Sequence, residues 1–128
     1  MSLDLGGVTM QLMGIALDAA MLRHDVIANN IANHDTPGFK TKRIRFEALF
    51  SDTIMQLKDE NGTMLKSRIG LLRDSIQDGS MVVSENEPVE LDREMVRLSE
   101  NTLWYQAILK VASKHGELLR LAVNGGRQ

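Results

Sequence analysis

Apolar residues recur at alternating steps of three and four along both ends of the chain. Near the N-terminus Leu5, Val8, Leu12, Ile15, Ala19, Leu22 and Val26 form one unbroken heptad stripe, with Asp4, Asp18, Arg23 and Asp25 off it. Near the C-terminus Leu91, Met95, Leu98, Thr102, Tyr105, Leu109, Ala112, Gly116, Leu119 and Val123 repeat the pattern. Ile108, Val111, Leu118 and Leu121 widen that second stripe beyond what a two-stranded seam needs. The spacing predicts two long helices, within 1–35 and 91–128. At about 1.5 Å per residue, each would be about 45 Å long.

Local signals bound the helices. Asn29 and Asn33 fall where the first stripe would continue, and Pro37-Gly38 suits the centre of a type II turn, so the chain leaves the helix there. Gly6, Gly7 and Gly14 each cost about 1 kcal/mol relative to alanine, which makes the start of this helix dependent on a partner. Asp92 and Glu94 suit the first turn of the second helix, and Lys114, His115 and Arg120 its far end. Gly125-Gly126 stops it.

The middle, 36–90, is less regular. Phe46, Leu49, Phe50, Ile54 and Leu57 allow a short amphipathic helix, Asn61-Gly62 signals a turn, and Met81-Val82-Val83 suits a short strand. Ser84 to Pro88 reads as an exposed acidic loop. The expected fold is therefore mainly α: long N- and C-terminal helices packed as a coiled-coil hairpin around an irregular middle segment with minor β. A lone pair of such helices leaves the wide C-terminal face wet, and apolar patches of that kind mark partner surfaces. The expected assembly seam comprises Leu5, Val8, Leu12, Ile15, Ala19, Leu22, Val26, Met95, Leu98, Tyr105, Leu109, Ala112 and Leu119.

Composition narrows the chemistry. The 128 residues carry a net charge of -2, so no global positive field recruits nucleic acid. Aromatics are only 4% and methionines number eight, which favours helix seams over a large compact core. There is no cysteine, which excludes disulfides and thiolate metal sites. No apolar run is long enough to span a bilayer, and no Sec-type signal opens the chain, so any export is expected to leave the first residues in place. His24, His34 and His115 lack metal-ligand spacing, and the acidic run from Glu85 to Glu94 lacks a calcium loop's central glycine. The basic run Lys40, Lys42, Arg43 and Arg45 reads as a segment meeting an acidic neighbour. No catalysis, cofactor, metal or small-molecule ligand is expected.

Ala28-Asn29-Asn30-Ile31-Ala32-Asn33, followed by Thr36-Pro37-Gly38-Phe39-Lys40, resembles the N-terminal signature of the flagellar rod and hook axial proteins. Glu90-Leu91-Asp92-Arg93-Glu94-Met95, Asn101 to Ala107 and Leu121 to Gly126 resemble that family's C-terminal helix. The family signature turn is Asn29, Asn30, Asn33, Thr36, Pro37, Gly38 and Phe39. The resemblance implies a basal-body rod subunit whose terminal helices build the axial core of a periplasm-spanning, torque-transmitting shaft. It implies as partners copies of itself, other rod proteins, the membrane ring with its adaptor protein at the base of the rod, and the flagellar type III export apparatus. Phe46 and Phe50 match a short export-gate element; the alternative is that they merely anchor the middle segment. Ser84 to Pro88 departs from the Gly-Asn run of relatives.

Two rival classes remain at this level. A helical export chaperone would share the heptads but form a discrete dimer. A DNA binder built on the basic run would show salt-dependent affinity.

Overall fold

The computed structural model describes residues 5–56 and 62–125, with side chains described for 7–55 and 66–125. In chain order the elements are α1 (Leu5–Ala32), β1 (Lys42–Ile44), α2 (Phe46–Gln56), α3 (Gly62–Gln77), β2 (Val82–Ser84) and α4 (Leu91–Gly125). The mainly-α fold with long terminal helices and minor β is the one found. The middle is more ordered than expected, holding two helices instead of one. The second, α3, rests on the short row Ile69, Leu72 and Ile76, too brief to stand out as a period and interrupted by Gly70. Leu57 and Asn61, part of the predicted helix and turn, lie outside the described residues, as does Gly126.

α1 ends where its asparagines begin. The Asn33 backbone N–H donates to the carbonyls of Asn29 and Asn30, and its side-chain amide donates to Asn29 O at 2.9 Å. The Phe39 N–H then donates to Thr36 O at 3.2 Å, with Gly38 at φ 78°, the type II turn that Pro37-Gly38 predicts. β1 and β2 pair antiparallel, Lys42 opposite Ser84 and Ile44 opposite Val82. Thr41 and Arg45 extend the pairing through Glu85, Glu87 and Met81.

α1 is central. One face packs on the middle segment, where Ile15, Ala19 and Val26 join Ile44, Phe46, Ile69, Leu72 and Met81 in one core. Val8, Leu12 and Leu22 lie half-buried against it. The adjoining face, with Ala20 and Ile27, meets α4 running antiparallel. Ala20 pairs with Asn101 across this seam, and fifteen residues separate Ala20 from Leu5 and Asn101 from Gly116. Equal helical rise therefore sets Leu5 level with Gly116. From Glu117 onward α4 runs past the start of α1 for nine residues, about 13 Å.

Candidate assembly interface

The two terminal helices are joined by a buried polar clasp. Glu94, in the first turn of α4, is 1% exposed. Its Oε1 accepts from Arg43 Nη2 and, at 3.0 Å, from Arg97 Nη1; its Oε2 accepts from Arg43 Nη1 at 3.2 Å and Asn30 Nδ2 at 2.9 Å. Both carboxylate oxygens are thus saturated by donors, two of them from one guanidinium in a bidentate fork. Asn30 is fully buried and does more than serve Glu94. Its Oδ1 accepts from Lys42 N at 3.0 Å while its Nδ2 donates to Lys42 O at 2.9 Å. The amide therefore acts as a strand partner for the edge of β1 that faces away from β2. An amide side chain carries the donor and the acceptor on separate atoms, as a backbone strand partner does. The clasp ties α1, β1 and α4 together at one end of the molecule.

Asn30 stands out in the sequence as a residue of the signature turn and Glu94 as a first-turn acid within the acidic run and the C-terminal motif. The burial of both is not legible there, because a polar residue on a helix reads as solvent-facing. Of the basic run, Arg43 is the member that meets acidic neighbours; its Nε also lies 3.7 Å from Glu85 Oε1. Lys42 sits over the Phe39 ring at 5.5 Å. Arg23 of α1 pairs with Glu47 of α2. His34 Nδ1 donates to Ile31 O at 2.8 Å and its Nε2 lies 3.0 Å from Asp35, so it finishes the end of α1. Among the described residues, no group of three or more His, Asp and Glu side chains is placed to hold a metal ion.

The inward row of α4 shares Leu91, Leu98, Tyr105 and Ala112 with the apolar row, and between them takes Glu94, Asn101, Ile108 and His115, each one position before Met95, Thr102, Leu109 and Gly116. Leu91, Glu94, Leu98, Asn101, Tyr105, Ile108, Ala112 and His115 are the buried or half-buried positions that follow its length. Asn101, 5% exposed, donates from Nδ2 to Ala20 O at 2.8 Å. Of the predicted seam residues on this helix, Leu98, Tyr105 and Ala112 lie in the inward row. Met95 and Leu109, 55% and 45% exposed, turn away from α1, while Leu119, 41% exposed, continues the inward row four residues after His115, in the length of α4 that runs past Leu5. Val96, Leu103, Leu118, Leu121 and Val123 are exposed as well, and Trp104 and Val111, also exposed, border a groove shared with Thr9, Leu12 and Met13 of α1. On α1 the predicted residues Ile15, Ala19 and Val26 are spent on the core with the middle segment, and the side chain of Leu5 lies outside the described residues. The wide apolar face expected to await a partner is thus carried by α4.

The remaining signature residues stay at the surface. Asn29, Thr36, Pro37 and Gly38 are exposed, while Asn33 and Phe39 are half-buried. Phe46 is 5% exposed and stacks at a tilt on half-buried Phe50, ring centroids 5.0 Å apart.

Comparison with known proteins matches residues 13–40 to the family described as flagella basal body rod protein. The flagellar basal body rod protein FlgB of Bacillus subtilis (strain 168) is 30% identical over 123 residues, covering 93% of this chain and 95% of that protein. That of Borrelia hermsii is 27% identical over 120 residues, covering 84% and 89%. That of Salmonella typhimurium is 25% identical over 123 residues, covering 87% and 89%.

Proposed function

The chain belongs to the flagellar basal body rod protein family, and from that membership we propose that its terminal helices are the surfaces through which subunits polymerise into the rod. It is a structural subunit of the bacterial flagellar basal-body rod. The single observation carrying the finer reading is the outward side of α4, where Met95, Val96, Leu103, Leu109, Leu118 and Leu121 lie exposed. A face of that kind is covered by neighbouring copies and by other rod proteins, and burying it is what holds the shaft together.

On this reading 1–35 and 91–128 form the axial core and 36–90 the segment beside it. The assembly seam is chiefly Met95, Leu109 and Leu119. Leu98, Tyr105 and Ala112, with Val8, Leu12, Ile15, Ala19, Leu22 and Val26, hold the subunit's own shape. The clasp at Glu94 keeps the two helices in register, so torque entering one is passed to the other. At the base the rod meets the membrane ring and its adaptor protein. The role is non-enzymatic, without cofactor or small-molecule ligand, and no nucleic acid is bound.

Delivery is through the flagellar type III apparatus. Phe46 and Phe50 are the candidate export-gate element, and with Phe46 buried this element would be read only before the chain packs. The test of the assembly reading is Leu109→Asp in motile cells: the protein should be made and folded, yet be missing from purified basal bodies. Normal recovery with basal bodies would overturn it.

A further inference from the structure

The row of α4 that meets α1 is the less apolar of two that fit there. Leu91, Leu98, Tyr105 and Ala112 belong to both. Between them the fold places Glu94, Asn101, Ile108 and His115, although Met95, Thr102, Leu109 and Gly116 follow one position later at the same spacing. Neighbouring helix residues lie about 100° apart, so turning α4 by about 50° exchanges the two sets and keeps the shared residues inward.

The set now inward carries a cost that the other does not. Among the described residues, Asn101 Oδ1 and His115 Nε2 are enclosed without a hydrogen-bond partner, and an unmet buried polar atom is destabilising. In the other set Thr102 already donates its hydroxyl to Leu98 O at 2.9 Å, Met95 and Leu109 are apolar, and Gly116 has no side chain. Leu109 in place of Ile108 conserves volume. Space for the turn is open on the required side. A cleft of about 270 Å3 lies where Thr102 and Tyr105 face Ala20, Met21 and His24 of α1. Ile108 would move to about the angular place that exposed Val111 holds now.

The present orientation therefore hangs on the Glu94 carboxylate, met by Arg43, Arg97 and Asn30. The groups on the far side do not depend on it equally. With Glu94 turned away, Arg43 keeps Lys42 O at 2.9 Å and Glu85, and Asn30 keeps both its bonds to Lys42.

We propose that α4 has two alternative inward faces about 50° apart, and that the Glu94 clasp selects the polar one, which holds Met95 and Leu109 outward. A hairpin free to bury its more apolar row would turn those two residues onto α1. Glu94 is thus a positioning residue that acts through the whole helix. The rotation is independent of the assembly reading; its consequence, a seam kept available to neighbours, rests on that reading.

The chain has no cysteine, so single thiols report which side is inward. Ile108→Cys and Leu109→Cys are each made in the wild-type chain and in Arg43→Ala/Arg97→Ala. That double change strips Glu94 of three of its four donors and leaves Asn30 in place on Lys42. Modification by a water-soluble maleimide is timed at micromolar dilution, with helicity followed by circular dichroism. In the wild type the thiol at 109 should react about tenfold faster than that at 108, following side-chain exposures of 45% and 9%. In the double variant the order should reverse with helicity kept. Adding Glu94→Leu and Asn101→Leu makes the original row the more apolar one and should bring the first order back. An unchanged order, equally fast reaction at both positions, or loss of helicity would each overturn the proposal, since α4 would then be fixed, detached or unfolded. So would a reversed order that the added leucines fail to restore. Recovery with basal bodies tells the two readings apart: a double variant with reversed thiols that still assembles normally contradicts the seam, while an unreversed one leaves the seam standing and only the rotation falls.

Discussion

Nδ2 of Asn30 lies 2.9 Å from Oε2 of Glu94, a hydrogen bond that joins residues 64 positions apart and closes the end of the helical hairpin. Each partner is polar and each is essentially removed from water, 0% and 1% exposed. Such a pair is tolerated only because every strong donor and acceptor in it is met. The fold's dependence on this small cluster leads to the first two expectations.

Asn30→Asp keeps shape and removes the donor. It would set a second carboxylate against Glu94 and against Lys42 O, an acceptor that Nδ2 now serves. The expected loss is about 3 kcal/mol, larger than for Asn30→Ala, which adds no charge. Urea unfolding of both variants checks the order, and an aspartate variant as stable as the alanine one would contradict it.

Arg43→Ala leaves Glu94 with Arg97 and Asn30 but strips its bidentate partner. The cost should be about 3 kcal/mol, because the buried carboxylate loses two of its four donors and one of its two cationic partners. Replacing Glu94 by Leu in the same chain should recover a large part of that loss. A double variant showing the plain sum of two single losses would argue against coupling.

Adjacent positions of α4 should respond oppositely to a charge. Ile108→Asp, at 9% exposure, should unfold the subunit. Leu109→Asp, at 45% exposure, should change its stability by no more than about 0.5 kcal/mol while abolishing swimming. Thermal melts read beside motility separate the two. Leu22→Asp belongs with the first kind, because Leu22 packs on the core.

The tight turn before β2 carries a pH dependence. Hydrogen bonds from the Ser80 backbone and hydroxyl hold the Asp78 carboxyl below its ordinary value, and Gly79 supplies the left-handed φ of 79° the turn requires. A folded-state pKa below the unfolded one contributes stability above the unfolded value, near 3.9, that fades as pH falls through the folded one. Asp78→Ala should therefore be less stable than the wild type near neutral pH. Chemical denaturation at stepped pH should show the gap closing below about pH 4; a gap that widens in acid would be the wrong sign.

Phe46 and Phe50 separate packing from export. Phe46→Ala empties a buried site and should cost about 3 kcal/mol or more. Phe50→Ala, half-buried, should cost less. If the pair is read by the export gate, secretion of Phe50→Ala should fall although its fold is nearly intact. Undiminished secretion would leave both rings as packing residues alone.

The chain order of residues was enough for the two long helices, the end of α1 and the Pro37-Gly38 turn. These depend on contacts within a few residues, where a period of three and four or a proline acts directly. It was also enough to find an apolar excess on the C-terminal helix. Which row of α4 turns inward was decided elsewhere. The rows through Glu94, Asn101 and Ile108 and through Met95, Thr102 and Leu109 have the same spacing, and apolarity favours the second. The fold buries the first, because Asn30 and Arg43, distant in sequence, satisfy the Glu94 carboxylate, and the Ala20 carbonyl accepts from the Asn101 amide nitrogen. A helical period specifies spacing around one axis; what stands opposite each face depends on partners brought there by the rest of the fold. The same holds for α1, whose stripe is covered largely by the middle segment.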